Sequence, residues 1–296
     1  MNRLTTRNWV RFLLPALLTF ALSGCVYDSY DDCFIDHIIT VRAYSIAGST
    51  DDQHELTGDE VTEVLLYVFD HNRRFVERIE TQIGETLTFS SLMGRNRYLI
   101  AWGNTQGSGQ MPPDLQPGDP MSMCNVAVAT QPRASVVASP NLADVFSGSV
   151  VLDGNQLSGD HLLPLYRRTG QMHITGLRFD PAADYTVVVS STPSILNGDG
   201  TNAGSQMVYT PTGKFDEDGR FIVDVFNLVP GDNITVQIIK NNGEQTWTVT
   251  QDINNNPIAI KAGQLTQVAL RLSDGNILAI FVEVRTWDSV LIIKDW

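Results

Sequence analysis

Alternation of apolar and polar residues with a period of two dominates this 296-residue chain. Residues 61–70 (VTEVLLYVFD) carry apolar side chains on both faces of one such run. A strand of this kind is usually central in a sheet or covered on both sides. Residues 70–72 (DHN) favour a turn. Residues 74–80 resume the alternation, so residues 61–80 are predicted to form a hairpin.

The same pattern recurs along most of the chain. Residues 216–219 (DEDG) separate two such runs and have the composition of a hairpin turn. Residues 107–123 are rich in Pro, Gly and Met without periodicity, which predicts a long loop. We find no amphipathic helix of three turns. Further strands are predicted at residues 38–45, 86–89, 97–102, 162–168, 171–178, 185–190, 221–229, 234–240, 246–252, 265–272 and 277–287, with a final run at 289–296.

The number of short strands indicates an all-β protein that is too large for one small sandwich. Two tandem β-sandwich domains fit a chain of this length better. Gly and Asp residues punctuate the chain between 153 and 170, and the boundary is placed there. We therefore predict an N-terminal domain over residues 34–160 and a C-terminal domain over residues 161–296.

The N-terminus has the pattern of a secretory signal peptide. Three arginines and no acid occupy residues 1–11, and residues 12–22 are almost entirely apolar. That stretch is about half the length a helix needs to cross a bilayer. The stretch ends in Leu-Ser-Gly-Cys at residues 22–25, which resembles the bacterial lipobox. The alternative is an ordinary signal peptide with a chance cysteine.

If the lipobox is functional, residues 1–24 are removed and Cys25 becomes an acylated N-terminus. Two or three acyl chains anchor a protein stably, whereas one gives marginal binding. Residues 25–33 then form a tether, and no later apolar run is long enough to span a membrane.

The chain is acidic, with 20 Lys and Arg against 33 Asp and Glu, for a net charge of −13. Removing residues 1–24 would take away three arginines and no acid, which leaves −16. A protein of this charge is a poor candidate for nucleic-acid binding and gains nothing from anionic lipid. Solubility explains the charge itself.

Three cysteines are present, and a lipidated Cys25 would leave Cys33 and Cys124 as a pair. A disulfide between them is reasonable in a secreted chain. In the chain-entropy model such a bond contributes about 4–5 kcal/mol. The alternative is two separate buried thiols.

A search for catalytic and metal motifs finds no serine-hydrolase elbow, no H-E-x-x-H and no P-loop. The five histidines are not at metal-ligand spacing. Acidic clusters at residues 28–32, 197–200 and 216–218 could bind calcium, but none has the EF-hand sequence, and solvated loops explain them. Paired carboxylates for glycoside cleavage stay open. We predict no enzyme activity, no cofactor and no metal.

Several segments together resemble a known family. They are residues 27–33 (YDSYDDC), 66–70 (LYVFD), 144–148 (DVFSG), 164–168 (PLYRR) and 172–177 (MHITGL). With the preceding lipobox, this pattern is similar to the FimB-type anchor subunits of type V fimbriae.

The resemblance implies two transthyretin-like β-sandwich domains and a lipoprotein on the outer face of the outer membrane. It also implies a role at the base of a fimbria, where the protein would bind the first stalk subunit and limit fimbrial length. Asp28, Asp31 and Asp32 look like the surface-export signal of such lipoproteins, and they also suit a solvated tether.

Subunits of this kind are thought to polymerise by strand exchange, in which a supplied strand pairs with an open sheet edge. Loss of the first strand would release a lipid-anchored subunit, so we expect residues 34–45 to be kept. The candidate donor is the C-terminal run Val290, Leu291, Ile292 and Ile293, together with Trp296. The alternative is an ordinary last strand of the second sandwich.

Two other functions stay open at this point. One is a surface glycan-binding lipoprotein, which usually shows exposed Trp or Tyr platforms. The other is a fimbrial stalk or tip adhesin, which would favour cleavage after the first strand, where Arg42 is the nearby arginine.

Overall fold

The computed structural model describes residues 34–46, 54–107, 109–131, 134–138, 142–156, 158–241 and 244–287. Within these ranges the chain forms strands and one 3₁₀ turn (Met121–Met123) and contains no α-helix, which confirms the predicted all-β class. In chain order the strands are β1 (Phe34–Tyr44), β2 (Glu55–Leu56), β3 (Val64–Phe69), β4 (Phe75–Thr81), β5 (Thr86–Leu92), β6 (Arg97–Gly103), β7 (Gln110–Met111), β8 (Asn125–Val128), β9 (Thr130–Gln131), β10 (Ala134–Ala138), β11 (Phe146–Leu152), β12 (Gly159–Arg167), β13 (Gly170–Leu177), β14 (Tyr185–Asn197), β15 (Asn202–Tyr209), β16 (Gly213–Phe215), β17 (Phe221–Leu228), β18 (Thr235–Lys240), β19 (Gln245–Val249), β20 (Gln264–Ser273) and β21 (Asn276–Thr286).

The first sheet has the order β2-β1-β12-β11-β6-β3-β4, and β5 also pairs with β1. Residues 82–85 connect β4, at one end of this order, to β5, at the other end. Because so short a connection requires the two ends to lie close together, the sheet curls around an apolar core. This smaller core contains Ile39, Val41, Val64, Leu66, Val68, Leu99, Ala101, Phe146, Leu152, Leu163 and Leu165.

Two further sheets form a sandwich that we call the second half of the molecule; it is built mainly from residues after 169, with β7 to β10 added from earlier in the chain. One has the order β19-β18-β14-β15-β10-β9, with β8 on β14 and β7 on β8, and the other has the order β16-β17-β13-β20-β21. Apolar side chains of β14 and β18 meet those of β13, β17 and β20 in a larger core. The tandem-sandwich architecture follows from alternating inward-facing residues on these strands.

The larger core also includes residues from the first sheet, among them Tyr67, Phe69 and Trp102. These side chains point away from the smaller core, so β3 and β6 have apolar residues on both faces. Every residue of β3 is buried, which confirms the sequence prediction that this strand is covered on both sides.

Both predicted hairpins are present. β3 pairs with β4 around a turn in which Asp70 Oδ1 accepts the N–H groups of Asn72 and Arg74. β16 pairs with β17 around a turn that Asp216 stabilises in the same way. Asp side chains therefore satisfy the backbone donors of both turns.

The middle of the chain differs from the sequence prediction. The predicted loop at residues 107–123 contains β7 and the 3₁₀ turn, and the second sheet takes in β8, β9 and β10. These strands are two to five residues long, too short to show an alternation by sequence.

The predicted boundary between residues 160 and 161 falls inside β12, which pairs with β1 and β11 in the first sheet. Arg168 and Thr169 link β12 to β13, the first strand of the third sheet. The division into two domains stays a prediction, and the topology would move its boundary to this link.

Candidate functional site

The first strand is an internal member of its sheet. β1 runs parallel to β12 over residues 37–44 and antiparallel to β5 over residues 34–40. Ile39, Val41 and Ala43 are fully buried on it. Losing β1 would open the smaller core and leave one edge of β12 without backbone partners. The structure thus has the strand that we expected the protein to keep, over residues 34–44.

At the other end of the chain, β21 is the outermost described strand of the third sheet. It pairs with β20 along its whole length, and Ala279 forms a single bridge to Asp252. Leu278 and Val284 are about half exposed, at 46% and 44%. An outermost strand with exposed apolar side chains is a place where another chain can add.

Trp287, the last described residue, packs against the buried side chain of Arg167. The Arg167 guanidinium lies 4.2 Å from the centre of the Trp287 ring and 5.4 Å from that of Phe146. Arg167 is 4% exposed, and its Nε donates to Asp144 Oδ2 at 2.7 Å. Thr169 Oγ1 donates to the other carboxylate oxygen at 3.0 Å. The C-terminal segment therefore begins beside the link between the two halves.

A second arginine, Arg168, fixes this link. It is 8% exposed and donates to Gly200 O at 2.6 Å, Ser147 Oγ at 3.1 Å, Asn202 Oδ1 at 3.1 Å and Thr201 O at 3.2 Å. Burial lowers the pKa of this guanidinium. Arg168 therefore ties β11 of the first half to the β14–β15 turn of the second half. Sequence analysis missed this network, because its acceptors are mostly backbone oxygens.

Several predicted site residues lie outside the described residues. They are Cys25, Cys33, Asp28, Asp31, Asp32, Val290, Leu291, Ile292, Ile293 and Trp296. Lipidation and strand donation therefore stay predictions. No helix of the described residues is long and apolar enough to cross a membrane.

Cys124 bears on the predicted disulfide. It is a free thiol, fully buried in the larger core, and burial raises its pKa to about 12. Phe34, which follows Cys33, is 67% exposed at the start of β1. No disulfide is seen at Cys124, and Cys33 lies outside the described residues, so the pairing stays a prediction. A thiol in this environment is inert.

The fold brings together two histidines that no sequence motif pairs. His37 Nδ1 lies 3.0 Å from His161 Nε2, and His37 Nε2 lies 3.1 Å from Ser91 Oγ. Burial is the main cause that lowers the pKa of His37, and His161 lowers it further, while Asp36 and Asp153 act in the opposite direction. Only the parallel register of β1 on β12 makes this pair. No group of three metal-ligating side chains occurs in the described ranges.

The acidic loops make turn contacts. Asp199 Oδ1 accepts the backbone N–H and the hydroxyl of Thr201, and these hydrogen bonds lower the pKa of Asp199. Asp216 likewise binds the backbone of its own turn. These contacts are typical of Asp in tight turns.

Comparison with known proteins decides the family. The model of the fimbrillin-A associated anchor proteins Mfa1 and Mfa2 matches residues 30–292. The chain belongs to this family. A relative in Porphyromonas gingivalis strain W83, the major fimbrium anchoring subunit FimB, is 24% identical over 96% of this chain and 97% of its own length.

Solved structures show the same fold. The fimbrial anchor protein Mfa2 from Porphyromonas gingivalis superposes with a TM-score of 0.64 at 13% identity, over 86% of this chain and 98% of that one. A candidate polysaccharide-binding protein from Bacteroides thetaiotaomicron superposes with a TM-score of 0.65 at 12% identity, over 86% of this chain and 96% of that one. Identities this low support a shared fold alone.

Proposed function

We propose that this protein is the anchor subunit at the base of a fimbria, on the outer face of the outer membrane. The observation that carries the proposal is the family match over residues 30–292. The relatives that align with nearly the whole chain are named as anchoring subunits. A structural role of this kind also agrees with a sequence that lacks catalytic motifs.

The membrane attachment that we propose is a lipid on Cys25. The support is the basic start, the short apolar stretch and the Leu-Ser-Gly-Cys sequence at residues 22–25. Cys25 lies nine positions before Phe34, where β1 starts. An extended chain of that length spans about 30 Å, enough for the tether to hold the first sheet clear of the lipid head groups.

Strand complementation is the proposed mode of binding the first stalk subunit. β1 occupies the interior of the first sheet with partners on both sides, so this sheet does not need a strand from a neighbour. The protein would therefore donate a strand, and the apolar run at residues 290–293 is the candidate. This run follows β21 in the chain and begins three residues after Trp287, whose ring packs on the Arg167 guanidinium.

Such an anchor would also limit fimbrial length. A subunit that donates a strand but keeps its own first strand adds at only one end of a polymer. The chain could then grow outward from the membrane and not past the anchor. This property follows from the topology of β1 if the donor hypothesis is correct.

The test is capture of the purified first stalk subunit by the full-length protein in detergent. Deletion of residues 289–296 should abolish capture while circular dichroism and the urea midpoint stay unchanged. Capture by the truncated protein would contradict strand donation. Unfolding of the truncated protein would instead identify the run as an ordinary strand of the second half.

Point variants make the same test without truncation. Val290 and Ile292 share one face of an extended strand. Leu291 and Ile293 share the other face. In strand addition only one face fills the pockets of the partner, so Asp at both positions of one pair should abolish capture. Asp at both positions of the other pair should preserve most of it.

A further inference from the structure

A cleft of about 720 Å³ lies between the two halves of the molecule, far along the chain from both termini. This volume is within the usual range of small-molecule sites, about 300–1,000 Å³. One wall is the β3–β4 turn with the adjoining strands β6 and β11, and the other is the 3₁₀ turn with the β14–β15 turn. Arg168 fixes this second turn, so the shape of the cleft is held by the buried link.

The first wall carries two arginines, Arg73 and Arg74. The Arg73 guanidinium stacks on the Tyr98 ring at 5.1 Å from its centre, and Arg74 makes one long hydrogen bond, 3.4 Å to Gly118 O. Neither forms an ion pair among the described residues. Two guanidinium groups that form no ion pair in the described ranges are positioned for an anionic group.

The backbone at Arg73 belongs to a tight turn. Its φ of 58° lies in the left-handed region, which favours Gly or Asn over Arg. Seven other non-glycine residues in the described ranges also have a positive φ, so this conformation reflects the turn, and only the two guanidinium groups point to binding.

The rest of the cleft mixes apolar side chains, such as Leu99, Ile100 and Val150, with polar ones, and Asp199 is the one acidic residue in its described lining. Asn72, Asn125 and Ser149 offer amide and hydroxyl groups from the two walls. Both hydrogen bonds that Asp199 accepts from Thr201 go to Oδ1, and the Arg168 guanidinium attracts the same carboxylate. The cleft therefore combines donors for an anion with donors and acceptors for hydroxyl groups.

The strands of the first wall of the cleft argue against an extended peptide as the ligand. Tyr98 and Ile100 lie on β6, whose backbone pairs with β3 on one side and β11 on the other. This wall therefore offers side chains and no open strand edge, which is what an extended peptide would use. Hydroxyl-rich ligands need only the side chains.

We propose that this cleft binds an acidic oligosaccharide, with the carboxylate of a sugar on Arg73 and Arg74 and its hydroxyl groups on the neighbouring amides and Asp199. This proposal goes beyond the anchor role and does not depend on it.

The test is isothermal titration of the full-length protein in detergent with trigalacturonic acid and with neutral trigalactose. We expect binding of the acidic trisaccharide, and binding of the neutral one that is at least tenfold weaker. Arg73→Gly should weaken binding of the acidic sugar about tenfold or more, through loss of a charge-assisted contact. Arg73→Lys should bind with intermediate affinity, because an ammonium group cannot grip a carboxylate with two parallel bonds.

Arg178→Gly is the matched control. Arg178 is also exposed and also has a left-handed φ, 64°, but it does not line the cleft. Both glycine variants relieve the same kind of backbone strain. Only Arg73→Gly should weaken binding of the acidic sugar.

Four results would overturn the proposal. They are no binding of the acidic sugar to the wild-type protein, equal binding of the neutral sugar, unchanged binding by Arg73→Gly, and equal binding of triglutamate. The last result would identify a general anion site and not a sugar site. Capture of the stalk subunit by Arg73→Gly should be normal, which separates this proposal from the anchor function.

Discussion

At the residue scale, Arg168 is a buried side chain that links the two halves of the molecule. Its hydrogen bonds join Ser147 in the first half to residues 200–202 in the second. No carboxylate pairs with it directly, so backbone and amide oxygens compensate the cost of burying the charge. Removing the guanidinium would leave several buried oxygens without donors, and that loss is larger than the loss of the bonds themselves.

We predict that Arg168→Ala lowers the free energy of unfolding by about 3 kcal/mol, the usual cost of removing one member of a buried charged network. Urea unfolding followed by tryptophan fluorescence measures the change. Arg168→Lys should recover only part of it, because an ammonium group cannot reach as many acceptors as a planar guanidinium.

Lys261→Ala is the control for this prediction. Lys261 forms an exposed ion pair with Asp232 at 2.8 Å, and such pairs contribute about 0–1 kcal/mol. If Arg168→Ala proves no more destabilising than Lys261→Ala, the network does not hold the halves together as its geometry indicates.

At the element scale, the position of β1 depends on contacts that cross three strands. His37 on β1 meets His161 on β12 and Ser91 on β5, one on each side. Two imidazoles 3.0 Å apart can share a hydrogen bond only if at least one ring is neutral. Burial, and after it the nearby His161, favour the neutral form of His37 and lower its pKa from the ordinary value of 6.5.

The sign of the pH effect follows from this lowered pKa. The stability that His37 contributes is fully present above pH 6.5 and is lost as the pH falls through 6.5 toward the lower folded value. We predict that wild-type protein is more stable than His37→Gln at pH 7.5, and that the gap narrows by pH 5.5. Urea midpoints at three pH values measure it.

His71→Gln is the matched control, because His71 is exposed on the β3–β4 turn. Its stability should run parallel to the wild-type curve over the same pH range. A gap between wild type and His37→Gln that stays constant with pH would show that protonation of His37 is not linked to folding.

How far the sequence predicts the fold depends on the length of each element. β3, β13 and β20 are six to ten residues long, and their alternation located them within about three residues. β7, β9 and β10 are two to five residues long and gave no periodic signal. The order of strands in a sheet is set by long-range pairing, which alternation does not encode.

The same distinction applies to the candidate sites. The lipobox is a local motif and can be identified from adjacent residues. The His37–His161 pair, the Arg168 network and the Arg73 cleft each join residues more than 20 positions apart along the chain. No local sequence motif predicts these sites, because the residues of each site come together only in the folded chain.

At the scale of the whole molecule, the net charge of the chain does not help to hold it at a membrane. The mature chain would carry a net charge of −16, so it gains no attraction from an anionic membrane surface. The described residues contain no helix that could span a bilayer. The membrane attachment that we propose would then depend on the acyl groups of Cys25 alone. A variant without these groups should lose membrane binding completely.

We predict that Cys25→Ser moves the protein from the membrane fraction to the soluble fraction while its fold is kept. Two or three acyl chains provide stable binding, at roughly 0.8 kcal/mol per buried methylene, and the variant loses all of them. Cell fractionation with a carbonate wash measures the shift. Mass spectrometry of the wild-type N-terminus should find acylated Cys25.

Cys124→Ala is the matched control for this last prediction, because it removes a cysteine that is buried in the larger core. It should stay in the membrane fraction. Retention of Cys25→Ser after the wash would refute the lipid anchor and require a protein partner to hold the chain at the membrane. An unacylated wild-type N-terminus further along the chain, found in sheared filaments, would instead favour a polymerised stalk or tip subunit, since such a subunit loses its first strand.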